Sequence, residues 1–568
     1  MTHLHDDPAD FAASALAGFC DAHAGRVRAV RGGALRADAL ADGHVALVVG
    51  GGSGHYPAFA GYVGPGLATA AVAGDVFASP SAAAIRHVAR LAHRGGGVLL
   101  GYGNYAGDVL NFGLAAELLA TDGIEARLIA VTDDVASDAE PGRRRGIAGN
   151  LLVLKAAGAA AAAGSDLDAV EAVARRANTA TRSLGVALHG CTLPGAASPL
   201  FSIEDGQIAI GLGIHGEAGI EERASMPAAA LASLLVERLL TEAPAGAGRR
   251  VAAILNGLGG TGGEELFVLW NQVAARLRAG GLEVVAPLVG AFTTSLDMAG
   301  SSLSLCWLDD GLERLWLAPC DAPVMQRRPL VEAASFPPED AETVQYAKAA
   351  DDAAVRDGAR IAQAMAALAE AMASAEAELG RLDAIAGDGD HGQSMARGSA
   401  AASAASSQAA AASAGPAGVL AAAGEAWAAR AGGTSGALWG VGLVAAARAL
   451  RDDRGLIAPD AARAADAARA AIVRLGGARL GDKTLVDSLH PFVQSLSQAL
   501  AAGDGLPAAW SAAATAARDA AVATSALSPR LGRARPLAER SKGHPDAGAT
   551  SLSLCLDAIG ARIAAGST

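Results

Sequence analysis

The densest cluster of potential metal ligands lies in one short acidic segment of the second half of the chain. Its sequence is DAIAGDGDHG, in which Asp383, Asp388 and Asp390 fall within eight residues. Carboxylates this close repel one another unless a cation neutralises them, and oxygen ligands on a glycine-rich turn suit Mg²⁺ or Ca²⁺. The segment does not fit the EF-hand pattern. We therefore predict a divalent-cation site that leaves coordination positions for the phosphates of a nucleotide.

Further glycine-rich turns in the same half of the chain could complete a phosphate-binding cradle. They are GGTSG (432–436), GDKT (481–484) and ERSKGHPDAGA (539–549). Each alone is more often a plain turn between helices. Gly476 and Gly481 have the spacing of a P-loop, but Asp482 stands where that motif has Lys and would repel phosphate. We predict instead a phosphate site built from loops between helices.

Three polar segments in the first half of the chain combine glycines with a histidine or a carboxylate. GGGSGH (50–55) follows the apolar run VALVV, NYAGD (104–108) follows GVLLG, and GLGIHGE (211–217) lies further along. In open α/β sheets, ligands bind at the carboxyl ends of the strands. Taken singly, these segments also fit a satisfied loop histidine or a solvated turn carboxylate. Together they predict a ligand site, although the glycine run does not match the dinucleotide-binding fingerprint.

The elements that position these residues divide the chain into an α/β half and an all-α half. Residues 26–320 alternate short aliphatic runs, each predicted as a buried strand, with amphipathic helices, and VVAPLV (284–289) is one such run. This alternation predicts a predominantly parallel α/β sheet arrangement. We predict an α/β substrate domain over residues 1–325, made of subdomains at about 1–185 and 186–325. A proline-rich linker follows at 326–345. Residues 346–568 show helical periodicity and are predicted to be all-α. The Ala/Ser tract 399–415 suits a closely packed helix, and another helix is predicted from Pro491 to Ala502.

Composition excludes several classes of protein. The 568 residues include 45 Lys and Arg against 58 Asp and Glu, a net charge of −13. A protein that binds nucleic acid needs clustered basic residues, and this sequence has no basic patch. We therefore expect no nucleic acid as a partner. The sequence shows neither a signal peptide nor an apolar run long enough to span a membrane. The five scattered cysteines fit reduced thiols and predict a cytoplasmic location.

Ten segments, in order, resemble the dihydroxyacetone kinase family. Those resembling its substrate (K) domain are GGGSGHYPAFAGYVG, GDVFASPS, NYAGDVLNFG, GLGIHGEAG, LGGTGGEEL and TSLDMAG. Those resembling its nucleotide (L) domain are LDAIAGDGDHG, GGTSGALWG, GDKTLVDSLHPF and ERSKGHPDAGA. Fusion of both domains resembles the single-chain, ATP-dependent form. The resemblance implies an all-α helical-barrel nucleotide domain, ATP and Mg²⁺ as cofactors, a small ketose as substrate, and a homodimer whose domains meet across subunits.

The same resemblance implies roles for individual residues. His215 would bind the substrate carbonyl covalently as a hemiaminal, and Asp108 would accept the proton of the hydroxyl being phosphorylated, with His55 as a second acid/base group. The substrate loop would contain Gly52, Ser53 and Gly54. The three carboxylates of the acidic segment would hold Mg²⁺ across the ATP phosphates. The residues implied to line the nucleotide site are His391, Ser394, Ser435, Thr484, Arg533, Asp546 and Gly548.

Three positions of the substrate domain depart from the family pattern. Gly103 stands where the family has a Lys that contacts the ketone, Tyr56 replaces a Glu, and Phe59 replaces a His. All three are expected near the substrate pocket, where contacts set specificity. We predict that the chemistry is kept and that the substrate has shifted, for example to the four-carbon ketose erythrulose. Neutral drift with dihydroxyacetone still preferred is the alternative.

Two other functions stay open at the level of sequence. Some relatives are FAD-AMP lyases that form cyclic FMN, an activity that would use the metal site without His215. Other K-like relatives are regulatory proteins that bind a ketone and a partner protein. The intact acidic segment in the same chain argues against the regulatory alternative.

Overall fold

The computed structural model describes residues 4–328, 346–531 and 535–566. The chain forms two compact units, Met1–Ser335 and Phe336–Thr568, which correspond to the α/β half and the all-helical half. Arg533 and residues 329–345 of the predicted linker lie outside the described residues. The linker was predicted to begin at Gln326, but that residue belongs to a strand. Across the described ranges, no helix combines the length and the apolar character needed to cross a bilayer.

The first sheet of the α/β unit has six strands within the described residues, in the order β1-β2-β4-β3-β5-β6. Their bounds are β1 (Val27–Val30), β2 (Gly33–Arg36), β3 (Ala46–Ser53), β4 (Ala70–Val76), β5 (Val98–Gly103) and β6 (Ala126–Val131). β4, β3, β5 and β6 run parallel, and β1 and β2 form an antiparallel edge. Residues 46–49 of β3 are fully buried, as expected for a strand covered on both faces. The glycine-rich end of β3 and the end of β5 therefore lie at one edge of this sheet.

The second sheet follows the order β11-β10-β13-β7-β8-β9, with β12 also paired to β10. Its strands are β7 (Thr181–Ala187), β8 (Gln207–Ile210), β9 (Glu221–Ala224), β10 (Arg250–Gly257), β11 (Glu283–Val284), β12 (Leu288–Gly290) and β13 (Gly300–Trp307). A short hairpin, β14 (Cys320–Ala322) and β15 (Met325–Arg327), follows. The helices of this unit are α1 (Phe11–Ala22), α2 (Ala82–Ala92), α3 (Ala106–Thr121), α4 (Asn150–Ala162), α5 (Leu167–Ala180), α6 (Ala228–Thr241), α7 (Gly263–Ala279) and α8 (Asp310–Leu317).

The second sheet corrects two expectations. It is mainly antiparallel, because β13 lies between β10 and β7 and runs opposite to both. The run 284–289, predicted as one strand, is split into β11 and β12 around Pro287, since proline cannot donate a ladder hydrogen bond. The strand that enters this sheet, β7, begins at Thr181, a few residues before the predicted subdomain boundary at about residue 185.

The two sheets of the α/β unit are joined where the segment 54–62 meets the loop 292–296. The Leu296 N–H donates to the carbonyl of Gly54 at 2.8 Å. The hydroxyl of Tyr62, which is fully buried, donates to the carbonyl of Phe292 at 3.1 Å. These bonds fix the glycine-rich loop after β3 against the second subdomain.

The second unit is entirely helical in its described residues. Its helices are α9 (Asp352–Asp383), α10 (His391–Ala411), α11 (Pro416–Ala431), α12 (Gly433–Arg448), α13 (Ala458–Gly476), α14 (Leu485–Ala501), α15 (Leu506–Ala523), α16 (Ala538–Ser541) and α17 (Ala547–Ala565). The tract predicted as a closely packed helix lies in α10 up to Ala411, and residues 412–415 are not helical. Within α10, Ser399, Ala402, Ser406 and Ala409 are fully buried. Their spacing of three and four residues places small side chains on one face, which lets neighbouring helices approach closely.

One helix start in this unit was wrongly predicted. The sequence suggested a helix beginning at Pro491, but α14 begins at Leu485 and contains that proline. The Thr484 hydroxyl accepts the Val486 N–H at 3.2 Å, and the Asp487 carboxylate accepts the Thr484 N–H at 2.8 Å. This reciprocal cap satisfies free N–H groups at the helix start and explains the earlier beginning.

Candidate active site

Two histidines from different subdomains of the α/β unit meet at the centre of the first site. His55 follows the glycine-rich end of β3, and His215 lies in the loop between β8 and β9. Their Nε2 atoms are 3.0 Å apart. His55 is buried, and its Nδ1 lies 2.8 Å from the backbone carbonyl of Thr294. Both histidines are predicted site residues, and the structure brings them into direct contact.

The His215 side chain is held on three sides and keeps 22% of its surface exposed. Its Nδ1 lies 3.1 Å from Glu217 Oε1, and its backbone N–H donates to Glu217 Oε2 at 3.0 Å. The rings of Phe77 and Tyr105 contact it edge-on, at centroid distances of 5.2 and 4.6 Å. An imidazole held in one orientation with a partly open edge is suited to react with a small ligand.

The pKa values of the two groups that flank His215 are both lowered, but the two groups end in different charge states. Burial, assisted by the charge of His215, lowers the pKa of His55 to about 3, so this ring is neutral at pH 7. Burial raises the pKa of Glu217, but the hydrogen bond and charge of His215 and the nearby Arg145 outweigh it and lower this pKa to about 2. His215 therefore lies between a neutral imidazole and a carboxylate that stays ionised.

Asp108 lies in the first turn of α3, directly after the end of β5. Burial raises its pKa to about 6, although a hydrogen bond from Ser79 and the charge of His215 oppose this shift. Among the described residues, its Oδ1 atom is buried and has no hydrogen-bond partner. A desolvated carboxylate with a vacant acceptor atom has the properties of a general base.

The glycines of the substrate loop allow the backbone to approach Phe77 closely. A Cβ atom at Gly52 would lie 2.7 Å from the backbone nitrogen of Ala78, and one at Gly54 would lie 2.9 Å from the Phe77 ring. Gly54 also has φ of +95°, which other residues rarely adopt. Between these glycines, the Ser53 hydroxyl donates to the carbonyl of Gly74 at 2.7 Å. The Phe77 ring in turn stacks on His55 at 5.0 Å.

The three positions that depart from the family pattern lie in different surroundings. Gly103 is buried at the end of β5, and a Cβ atom there would lie 3.1 Å from the Tyr105 ring. The Tyr56 ring is 58% exposed and contacts Phe19 instead. The Phe59 ring packs under the glycine loop. Of the three, Gly103 is the position placed beside a ring that contacts His215.

The acidic segment of the helical unit forms the predicted carboxylate cluster. One oxygen from each of Asp383, Asp388 and Asp390 lies within 4.8 Å of the others, on the turn between α9 and α10. The Gly389 N–H donates to Asp383 Oδ2 at 2.9 Å and fixes that carboxylate. Asp388 and Asp390 are exposed. A hard cation with oxygen ligands and open positions, such as Mg²⁺, fits this set.

A cavity of about 370 Å³ adjoins the carboxylate cluster. Predicted residues that line it are Asp383, Asp388, His391, Ser435, Thr484, Asp546 and Gly548. Ser394 is buried in the first turn of α10 and is not among the lining residues. The His391 ring bridges two walls, with Nε2 at 2.9 Å from the Ser551 hydroxyl and Nδ1 at 3.4 Å from that of Ser435.

Asp546 and Lys483 are two charged side chains that line this cavity. Asp546 caps the start of α17 and accepts the Ala549 N–H at 2.8 Å, and desolvation raises its pKa to about 6. The Lys483 ammonium donates to the backbone carbonyls of Ser541 and Leu527 at 2.7 and 3.1 Å. Lys483 thus ties together three loops around the cavity. The size of the cavity, its hydrogen-bond donors and the adjoining carboxylates suit a nucleoside triphosphate with its cation.

A larger cavity, of about 590 Å³, lies elsewhere in the α/β unit, on the side of the β14–β15 hairpin. Two of the arginines that line it have partners, since Arg26 bonds to Asp321 and Arg327 donates to the carbonyl of Trp316. It contains none of the predicted site residues. The two sites described above are therefore the candidates for the chemistry.

Sequence reasoning missed several residues of the substrate site. Glu217 lies two positions after His215 and was quoted in the same motif, so its partnership could have been inferred. Thr294 and Arg145 are distant in sequence from the histidines and carry no local signal. Tyr105 and Phe77 fell inside quoted motifs, but the edge-on contacts of their rings with His215 depend on the fold.

Comparison with known proteins matches each half of the chain to a known domain. Residues 17–324 match the Dak1 domain and residues 385–561 match the DAK2 domain. The chain is 52% identical to D-erythrulose kinase of Mycolicibacterium smegmatis, over 98% of this chain and 97% of that protein. It is 50% identical to L-erythrulose kinase of Pectobacterium atrosepticum, over 99% and 96%. The dihydroxyacetone kinase from C. freundii in complex with AMP-PNP and Mg²⁺ matches with a TM-score of 0.61, 29% identity and 99% coverage of both chains.

The fold, the sites and these matches define an ATP-dependent kinase that phosphorylates a small ketose. The chain belongs to the dihydroxyacetone kinase family, in the form that carries both domains in one polypeptide. The predicted cofactors, ATP and Mg²⁺, are confirmed. The bifunctional triokinase/FMN cyclase of Rattus norvegicus is more distant, at 34% identity over 93% of this chain and 92% of that protein. The kinase interpretation is therefore favoured over the lyase alternative.

Proposed function

We propose that this kinase acts preferentially on erythrulose, a four-carbon ketose, rather than on dihydroxyacetone. The observation that carries the proposal is Gly103 beside the Tyr105–His215 contact. Its ideal Cβ direction points at the Tyr105 ring, so a side chain at this position would occupy space next to the reactive histidine. Erythrulose has one hydroxymethyl group more than dihydroxyacetone and needs that room. Two relatives that are at least 50% identical to this chain are named as erythrulose kinases, which supports the same substrate.

The hydrogen-bond partners of the two histidines support a specific distribution of protons. The Thr294 carbonyl only accepts, so His55 Nδ1 carries a proton and its Nε2 holds a lone pair. The Glu217 carboxylate accepts from His215 Nδ1. The 3.0 Å contact between the Nε2 atoms then requires a proton from His215. These contacts place one proton between the two Nε2 atoms.

The hemiaminal would form by transfer of that shared proton. His215 Nε2 forms a bond to the ketone carbon, the carbonyl π bond breaks, and the oxygen takes the proton by way of His55 Nε2. Because burial holds the pKa of His55 at about 3, its protonated form is a strong acid that gives the proton up readily. The adduct keeps a proton on Nδ1 and therefore a positive charge, which faces Glu217. Only carbonyl compounds can be held in this way.

Asp108 would act as the general base for phosphoryl transfer. Its vacant Oδ1 accepts the proton of the terminal hydroxyl as that oxygen attacks the γ-phosphorus of ATP and ADP leaves. Asp383, Asp388 and Asp390 would hold Mg²⁺, which neutralises charge on the phosphates. Lys483 and Asp546 would hold the loops of the nucleotide cavity in place.

The substrate proposal is tested by a panel of D-erythrulose, L-erythrulose and dihydroxyacetone with ATP and Mg²⁺. We expect kcat/KM for one erythrulose enantiomer to exceed that for dihydroxyacetone by about tenfold or more, the scale set by one extra group in a fitted pocket. Gly103→Lys should reverse the order by filling the space, while Tyr56→Glu at the exposed position should leave it unchanged. A dihydroxyacetone optimum in the unaltered enzyme would reject the proposal.

We propose further that the enzyme is a cytoplasmic homodimer in which the helical unit serves the α/β unit of its partner. The support is family resemblance. Mixing His215→Ala chains with Asp388→Ala chains tests it, because each mixed dimer would contain one intact pair of sites. Activity restored on mixing, together with a dimer mass in solution, is the expected result. No restoration in a confirmed mixed dimer would exclude exchange across subunits.

A further inference from the structure

A chain of alternating basic and acidic side chains extends from His215 into the interior of the α/β unit. Glu217 Oε2 lies 3.6 Å from Arg145 Nη1, and Arg145 Nη2 donates to Asp134 Oδ2 at 3.1 Å. The Arg145 side chain is 16% exposed and that of Asp134 is 2% exposed. The proposed function uses His215 and Glu217 but assigns nothing to the two residues behind them.

The backbone around this charge chain is built to hold it. The Arg145 carbonyl accepts the Asp134 N–H at 3.0 Å, and the Arg145 N–H donates to the Ser137 hydroxyl at 2.9 Å. Asp134 Oδ1 accepts the Ala136 N–H at 3.1 Å. A Cβ atom at Gly213 would lie 2.0 Å from Glu217 Oε2 and 2.7 Å from Arg145 Nη1. Only glycine at 213 leaves room for the carboxylate and the guanidinium to meet.

We infer that Arg145 and Asp134 are positioning residues that hold Glu217 as the counter-ion of the His215 adduct. The inference rests on the proposed function, because it concerns the covalent state of His215. Once Nε2 is bonded to carbon, the ring keeps its positive charge for as long as Nδ1 keeps its proton. A carboxylate fixed at 3.1 Å from Nδ1 stabilises that charge best if it does not have to rearrange when the adduct forms. Arg145 fixes Glu217, and Asp134 fixes Arg145.

The groups around Arg145 explain why its guanidinium needs two carboxylate partners, Glu217 and Asp134. Asp133 is also fully buried nearby, but it accepts the N–H groups of Ile147 and Gly149 at 2.9 Å each and so caps the start of α4. The partly buried Arg145 guanidinium, with Glu217 as its single carboxylate partner, would be free to turn toward other acceptors. Asp134 supplies the second carboxylate and directs the other guanidinium nitrogen toward Glu217.

The test measures the adduct itself with ketose labelled with ¹³C at the carbonyl carbon. NMR distinguishes the trigonal carbonyl of free ketose from the tetrahedral carbon of the hemiaminal. We expect Arg145→Met to lower the adduct population at fixed ketose on the order of tenfold to 100-fold, the scale of a displaced catalytic group, with KM for ATP unchanged. Arg145→Lys should restore part of it. Asp134→Asn, which keeps the shape, should give a smaller loss in the same direction.

A double-mutant cycle separates positioning from a general structural role. If Arg145 acts through Glu217, the double variant Arg145→Met/Glu217→Gln should form no less adduct than Glu217→Gln alone. Arg175→Met is the matched control. Arg175 is exposed and forms an ion pair at 2.6 Å with Glu171 on α5, outside the substrate site, so this variant should leave the adduct unchanged. Additive losses in the double variant, or an unchanged adduct in Arg145→Met, would overturn the inference. If the unaltered enzyme forms no adduct with any ketose, the proposed function fails instead.

Discussion

The two sites of this kinase are built in opposite ways. The substrate site consists of buried groups in direct contact, with His55 held between the Thr294 carbonyl and His215. The nucleotide site presents exposed carboxylates at the edge of a cavity, with Asp388 and Asp390 open to water. The difference follows from the chemistry. Proton transfer to a carbonyl needs fixed, desolvated partners, whereas a hydrated cation and a charged nucleotide need an accessible cluster of charge.

The largest effect is expected from removing the covalent anchor. His215→Ala should lower ketose phosphorylation by roughly 10³-fold or more, because the substrate loses its fixed position. Binding of AMP-PNP, measured by calorimetry, should be unchanged because the helical unit is intact. If His215→Ala retained its ketose kinase activity, the role of His215 as the covalent anchor would be contradicted.

A smaller but still large effect is expected from the cation cluster. Asp388→Asn should raise the Mg²⁺ concentration needed for half-maximal rate by about tenfold to 100-fold, the usual cost of disturbing a metal site. The ¹³C adduct signal of the ketose should persist in this variant. Asp466→Asn, on the exposed side of α13, is the control and should not change the Mg²⁺ requirement. If Asp388→Asn lost the adduct signal, the prediction that the two sites act independently would be contradicted.

The next effect concerns the acidity of Asp108. Its pKa is raised to about 6 and the base must be ionised, so the rate should fall as pH drops through 6, by about tenfold per unit below it. Asp546 has a similarly raised pKa in the nucleotide site, so the profile is measured at saturating ATP. Asp108→Asn should abolish this limb along with most of the rate. A profile that stays flat down to pH 5 would contradict the role of Asp108.

The smallest effect is expected at Tyr105. Its ring contacts His215, but its hydroxyl is buried and lacks a hydrogen-bond partner among the described residues. Tyr105→Phe keeps the ring and removes an unsatisfied group, so kcat/KM should change by less than about threefold and thermal stability should stay equal or rise. A tenfold loss specific to erythrulose would instead show that this hydroxyl contacts the substrate.

The sequence was sufficient for the features that local residues determine. The acidic cluster and the glycine-rich loops were predictable because spacing alone brings their residues together. The antiparallel character of the second sheet was not, because it depends on β13 lying between β10 and β7, which are distant in the chain. For the same reason, Arg145 beside Glu217 and Thr294 beside His55 could not be predicted. Arg533 and the linker prediction at 329–345 lie outside the described residues.

The junction between residues 54–62 and the loop 292–296 has a consequence for how substrate range can change. The carbonyl that orients His55 belongs to the same loop that joins the two sheets through Leu296 and Tyr62. A substitution that loosened this junction to admit a larger sugar would also disorder the acid that forms the adduct. Changes in substrate range are therefore expected at positions that contribute no hydrogen bond to this junction. Gly103, which has no side chain, is one of them.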